Sequence, residues 1–163
     1  MTTRPPRIVL LIGLVASLCA LGSEPLMKAI AIPSREHGYQ NLETSVLHSR
    51  QQLTAFIERL CGQEGWNDRE TFIQALQGAD IDFEGSSLLI YCHTEPSGGI
   101  QVQLAEPLIE GGRATIQVTR EVPFMSTTDM AFHAYAWQVS KSLEQVTFII
   151  DGERQIPVAV NPR

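Results

Sequence analysis

The chain runs through two hydrophobic rhythms in succession. From residue 49 to residue 78 apolar side chains recur every three or four positions: Leu53, Phe56, Ile57 and Leu60 in one run, then Phe72, Ile73 and Leu76 in another. That spacing lines one face of a 3.6-residue helix. Ser49 and Gln52 precede the first run with the spacing of a capping box, and Gly62 is placed to stop it after Cys61. Asn67 and Glu70 repeat the capping spacing ahead of the second run, which Gly78 ends. Two short amphipathic helices are predicted.

Beyond Ala79 the period becomes two, the signature of half-buried strands. Ser87–Cys92 is a continuous apolar run; Ile100, Val102 and Leu104 alternate with polar neighbours, as do Ala114, Ile116 and Val118. Ala131–Ser140 places Phe132, Ala134, Ala136 and Gln138 on one side and His133, Tyr135, Trp137 and Val139 on the other. Gly98-Gly99 and Gly111-Gly112 mark turns, and Asp151-Gly152 between Val146–Ile150 and Arg154–Val160 is a hairpin signal, because both residues tolerate positive φ. Leu26–Ile32 and Glu43–Leu47 are further short strand candidates. The pattern predicts an α+β fold: an antiparallel sheet, barrel-like or two-layer, packed by one or two short helices. A single domain is expected over residues 42–163, preceded by an extension over 23–41.

The start of the chain changes the setting. Arg4 and Arg7 precede an apolar run from Ile8 to Leu21, and Ala20-Leu21-Gly22 supplies the small residues of a cleavage site before Ser23. Residues 1–22 therefore read as a secretory signal, and the protein as periplasmic or secreted. The run is too short for a membrane span, which needs about 20 apolar residues, so no stable span is expected after cleavage. An uncleaved anchor, or lipidation of Cys19, is the competing processing route. The 163 residues carry 12 Lys and Arg against 18 Asp and Glu, a net charge of −6 at pH 7, and losing Arg4 and Arg7 makes the chain more acidic. With no basic cluster, nucleic acid is excluded as a partner. Cys61 and Cys92 remain after the leader. In an oxidising compartment such a pair predicts a disulfide worth about 3–4 kcal/mol; two buried free thiols are the alternative.

Candidate chemistry is sparse. Asp80, Asp82 and Glu84 share one side of an extended segment, as calcium ligands would, but also as a solvated rim would in which Asp82 caps backbone N–H groups. His93 and Glu95 point the same way on a strand, and Asp129 and His133 could approach them from elsewhere; zinc requires three or four convergent ligands, which only proximity in the fold could assemble, so no metal is assigned. Ser97 lacks the Gly-x-Ser-x-Gly context of a nucleophile elbow, and Cys92 and His93, adjacent on a strand, face opposite sides. No catalytic residue and no cofactor are expected. Trp66, Phe124, Tyr135 and Trp137 suit either a binding surface or the core.

Asp82-Phe83, the apolar strand Leu88–Tyr91 and the turn Glu95-Pro96-Ser97-Gly98-Gly99-Ile100 together resemble the C-terminal domain of the PrcB family of protease-complex subunits. Ser97 and Ile100 stand where that pattern has threonine and tyrosine. The likeness extends over residues 42–150 and implies a small exported β-rich domain that binds or stabilises a protein partner without catalysis. The same turn is similar, over a shorter stretch, to a loop of chagasin-type protease inhibitors. Together with the loop around Pro123, Phe124 and Met125, it predicts one binding edge made of Pro96, Ser97, Gly98, Gly99, Ile100, Pro123, Phe124 and Met125. The alternative for the loop is a fold back onto the core. The expected function is non-enzymatic binding of a protein, a protease or an envelope partner; the rival is a small metal-dependent or hydrolytic envelope enzyme.

Overall fold

The computed structural model describes residues 25–125 and 127–161, so the leader and its cleavage site lie outside the described residues. The apolar run of the sequence becomes strand β3 (Ser86–Glu95), which is buried on both faces. Leu88 and Ile90 face a helical layer, while Leu89 and Tyr91 face a second sheet. A strand covered on both sides has no polar face to show, which is why its sequence runs continuously apolar instead of alternating.

The first sheet has the order β1-β7-β3-β2, with β1 (Met27–Ile30), β2 (Ser45–Leu47) and β7 (Ala131–Ser140), all antiparallel. Against its outer face pack α1 (Arg50–Cys61) and α2 (Arg69–Gly78), which bury Leu53, Phe56, Leu60, Phe72, Ile73 and Leu76 there. Ala134 and Ala136 are the β7 residues on this face, and their small side chains let the helices come close. Ser49 caps α1 by accepting the Gln52 N–H at 3.2 Å, while the Gln52 side chain reaches the His48 N–H at 2.6 Å. The second cap differs from expectation: α2 starts from Asp68, with no side-chain cap bond.

The second sheet runs β4-β6-β8-β9, with β4 (Gln101–Leu104), β6 (Arg113–Glu121), β8 (Gln145–Ile150) and β9 (Arg154–Ala159); β5 (Leu108–Glu110) also pairs with β6. The α+β expectation of layered packing with two short helices holds, with open sheets rather than a barrel, and the strands divide between two sheets where one was expected. One pairing departs from it: β6 and β8 are parallel. Between them the chain crosses to the first sheet as β7 and then returns, so β8 runs in the direction of β6. The β8–β9 hairpin has the turn its sequence asks for, with Asp151 at φ 50° and Gly152 at φ 77°. Between the sheets Ile116, Val118, Val146 and Phe148 meet Leu89, Tyr91, Trp137 and Val139.

The segment before Leu42 is woven into this body. Met27 to Ile30 pair with Val139 to Ala136, and a 3₁₀ turn at His37–Asn41 buries Tyr39, whose hydroxyl donates to the Pro33 carbonyl at 2.5 Å. Asp82 caps backbone as one of its two readings required: its carboxylate accepts from the N–H groups of Glu84 at 3.0 Å and Gly85 at 3.3 Å.

The expected Cys61–Cys92 disulfide is not formed; both thiols are free. Leu60 carries the buried stripe of α1, and one further residue turns about 100° around the helix, which leaves Cys61 exposed. Cys92 lies on the helix-facing side of β3, its backbone N–H bound by the Thr44 hydroxyl at 3.0 Å. Burial pushes the Cys92 thiol up to about 12. We predict that a thiol reagent at pH 8 labels Cys61 of the folded protein quickly and Cys92 only after denaturation. Peptide mapping reads this directly, and two unreactive residues under denaturing, non-reducing conditions would restore the disulfide.

Candidate functional site

Strand alternation sends every second residue of β3, β6 and β7 between the two sheets, and at one end that interior turns polar. Tyr91 stacks on Phe148, with ring centres 3.7 Å apart and planes 7° from parallel. One step further along, His93 lies opposite His133 in register. The next step reaches Glu95, 1% exposed. Arg120, the inward residue at the far end of β6, grips Glu95 with both arms, Nε to Oε1 and Nη2 to Oε2, each at 2.6 Å. His93 Nε2 is also 2.6 Å from Oε1. A carboxylate only accepts, so that nitrogen carries the donated proton, and Nδ1 faces the Tyr91 hydroxyl at 3.1 Å. Arg120 is held in turn by Asp151 of the β8–β9 turn, whose oxygens take its backbone N–H at 3.0 Å and its Nη1 at 3.2 Å.

Burial raises the Glu95 pKa, but the hydrogen bonds from Arg120 and His93 outweigh it and hold the carboxyl below its ordinary value. The same bond to Glu95 raises the pKa of Arg120. His133, 6% exposed, is different: its Nε2 is buried with no hydrogen-bond partner. Burial first, and then the Arg35 and His93 side chains, lower its pKa.

Just beyond this polar end the two predicted segments come together. The buried Ser97 hydroxyl accepts the N–H groups of Thr127 at 2.9 Å and Gly99 at 3.3 Å and lies 3.1 Å from the Thr127 hydroxyl. Gly98 donates to the Asp129 carbonyl at 2.7 Å. Arg35 donates to the Gly98 carbonyl at 2.9 Å, with its other arm 4.0 Å from the Asp129 carboxylate. The Thr127 hydrogen bond and, to a lesser extent, Arg35 lower the Asp129 pKa. A Cβ on Gly98 would collide with Asp129, and one on Gly99 would stand 3.1 Å from the Pro123 ring. The glycine pair thus admits the protein's own loop.

The loop between β6 and β7 presents its apolar residues outward. Phe124 is 104% exposed and Met125 81%, with Val122 and Met130 also exposed. Pro96 is exposed and Pro123 half-buried. Two expected contact residues need correction: Ile100, one residue before β4 and in phase with the inward Val102 and Leu104, belongs to the buried core, and Ser97 is consumed as a buried brace. Alongside lies an open groove of about 610 Å³ lined by Arg35, Glu36, His37, Asp129, Met130 and Phe132 among others. Of the aromatic candidates, Trp137 is core, Tyr135 packs against the same core, and Trp66 packs with Tyr39 and Phe72, leaving Phe124 as the outward one.

Chemically this is a brace carrying an apolar tip. Both oxygens of Glu95 are engaged and shielded, and the partners of Ser97 Oγ are amides and a hydroxyl, with no base among them. Among the described residues no group of three or more His, Cys, Asp or Glu side chains could hold a metal ion, and no helix is long and apolar enough to cross a membrane. Arg120 and Arg35 were not singled out as site residues from the sequence; His133 was weighed only as a metal ligand with His93, Glu95 and Asp129, and it lies opposite His93 with its Nε2 unpartnered. Arg120 had a signal: it continues the inward series Ala114, Ile116, Val118, where a charge demands a buried partner. No family model matches the chain, and no curated protein or solved structure matches it significantly.

Glu95 and Arg120 make a stability prediction. Removing the guanidinium strands a buried carboxylate, which costs about 3–5 kcal/mol, so Arg120→Met should be destabilised by that order in denaturant titration near pH 7. Since the folded pKa of Glu95 is lowered, its contribution is present above the unfolded carboxyl pKa of about 4.3 and is lost as the pH falls through the folded value. In Arg120→Met the stranded carboxyl prefers its proton, so the gap between the two proteins should narrow below that pH. A gap independent of pH would show that the pair is not the cause.

Proposed function

We propose that the protein is an exported, non-enzymatic protein-binding domain. Its contact surface is the β6–β7 loop, centred on Phe124 and Met125 and braced on the Pro96–Ile100 turn. The observation that carries this is the exposure of four large apolar side chains on one loop that is pinned at its base by Ser97, Gly98 and Arg35. An apolar group left in water costs stability, about 25 cal/mol per Å² not buried, so a pinned loop that displays several of them is suited to burial against something else. Pre-organisation lowers the ordering entropy paid on association. The leader-like first 22 residues support export, and the resemblance to the PrcB C-terminal domain supports a protease or a protease-associated envelope protein as the partner.

The test is capture of an envelope protein by the immobilised chain, identification of the captured species, and titration of that purified partner against the parent and Phe124→Ala. Truncating an aromatic anchor costs about 2 kcal/mol, so affinity should drop about 30-fold. Melting temperature should hold, because the side chain touches little of the fold. Unchanged affinity would remove this loop from the interface, and a large loss of thermal stability would reassign Phe124 to the core.

A further inference from the structure

His133 sits where a proton would matter to the binding edge. Residues 34–36 lie along β7 as a strap: the Ala134 N–H donates to the Ser34 carbonyl at 3.2 Å, Glu36 N–H donates to the Phe132 carbonyl at 3.2 Å, and Arg35 bridges to His133. From the middle of this strap Arg35 reaches over to hold the Gly98 carbonyl and to face Asp129. The strap therefore joins His133 to both halves of the edge, the turn and the loop.

Among the groups facing His133, the Ser34 carbonyl of the strap and the Glu95 charge favour a second N–H, but burial, Arg35 and His93 outweigh them. On β3 the facing groups are His93, its register partner, and Glu95, whose oxygens are already taken by Arg120 and His93. On the strap it is Arg35, a cation. On β7 itself it is Tyr135, stacked with ring centres 6.5 Å apart. From the second sheet comes Arg120, a further cation bound between Glu95 and Asp151, and from the loop Asp129, at the exposed rim beyond Arg35. A protonated Nε2 would be a buried donor without an acceptor beside a guanidinium, and both conditions are unfavourable.

We propose that His133 is a proton sensor for the binding edge: protonation of its buried Nε2 displaces the Arg35 strap and unfastens the turn and loop that present Phe124. Its lowered pKa has the matching sign, since stability stored in a neutral buried histidine is lost as the pH falls below the unfolded value of about 6.5. Loss of partner capture in mild acid rests on the function proposed above; the loosening of the edge does not, and it can be measured without a partner.

Amide hydrogen exchange followed by NMR at pH 7.5 and pH 5.5, corrected for intrinsic rates, is that measurement. Glu36, Gly98 and Thr127 donate the hydrogen bonds that fasten the strap, turn and loop, and Leu89 in the middle of the sheet reports global opening. Protection of the first three amides should fall at least tenfold at pH 5.5 in the parent, with Leu89 unchanged, and should not fall in His133→Gln. Undiminished protection in the parent, or an equal loss in His133→Gln, overturns the proposal. Should His133→Gln fail to fold, the His133 Cε1–H resonance of the parent decides: its titration midpoint must coincide with the loss of protection, and a separate midpoint assigns the effect to another group.

Discussion

Ten consecutive backbone pairs join β3 to β7, from Ser86 opposite Ser140 to Glu95 opposite Ala131, and the rest of the molecule is arranged by this ladder. Each strand of the pair has neighbours on its far edge and layers on both faces, so the ladder lies where water is excluded and its hydrogen bonds face no competition from solvent. Because side chains alternate, fixing the register once decides both layers. Leu88, Ile90, Ala134 and Ala136 must meet helices, while Leu89, Tyr91, Trp137 and Val139 must meet another sheet. A slip of one residue would exchange the two sets, driving Trp137 into the space that Ala134 and Ala136 leave for the helices.

The same ladder explains why the space between the sheets ends in charge. It is longer than the apolar stack that fills it, so its last inward residues, His93, Glu95 and His133, lie beyond Phe148 and beside the opening. A buried ion pair gives little net stability over a well-packed apolar pair. The Glu95–Arg120 pair has another consequence. It is bidentate and joins β3 of one sheet to β6 of the other, with Asp151 tying in the β8–β9 turn. Apolar contacts alone would tolerate small sliding of one sheet over the other; two parallel hydrogen bonds with fixed geometry do not.

Much of this was legible in the sequence where the physics is local. The Ser49 cap with its apolar stripe, the alternation of Ala131–Ser140 and the Asp151-Gly152 hairpin can each be reasoned from neighbouring residues. What was not legible depends on partners far along the chain. Period two says that Ala114–Val118 is a strand but not which strand it joins, so the parallel β6–β8 pairing stayed hidden. Cys61 and Cys92 were paired by compartment and number, whereas one turn increment past Leu60 decides that Cys61 faces water. Ile100 illustrates the same limit within the candidate site: adjacency to the Gly-Gly turn suggested contact, yet alternation in phase with β4 sends it inward.

The loop that displays Phe124 is tied down at points that follow from where its ends lie. It departs from β6 one residue after Arg120 and joins β7 two residues before His133, so both ends emerge from the charged end of the interior. Toward its β7 end, Thr127 and Asp129 are pinned by Ser97 and Gly98, which follow Glu95, the last residue of β3. Its anchors thus converge on one small region that holds the Glu95–Arg120–Asp151 cluster and the Arg35–Asp129 pair. On the proposal for His133, this region is the place from which the loop would be loosened. An apolar loop anchored in a hydrophobic core could be freed only by unfolding that core. Anchoring it in a polar network separates the stability of the edge from that of the β3–β7 ladder.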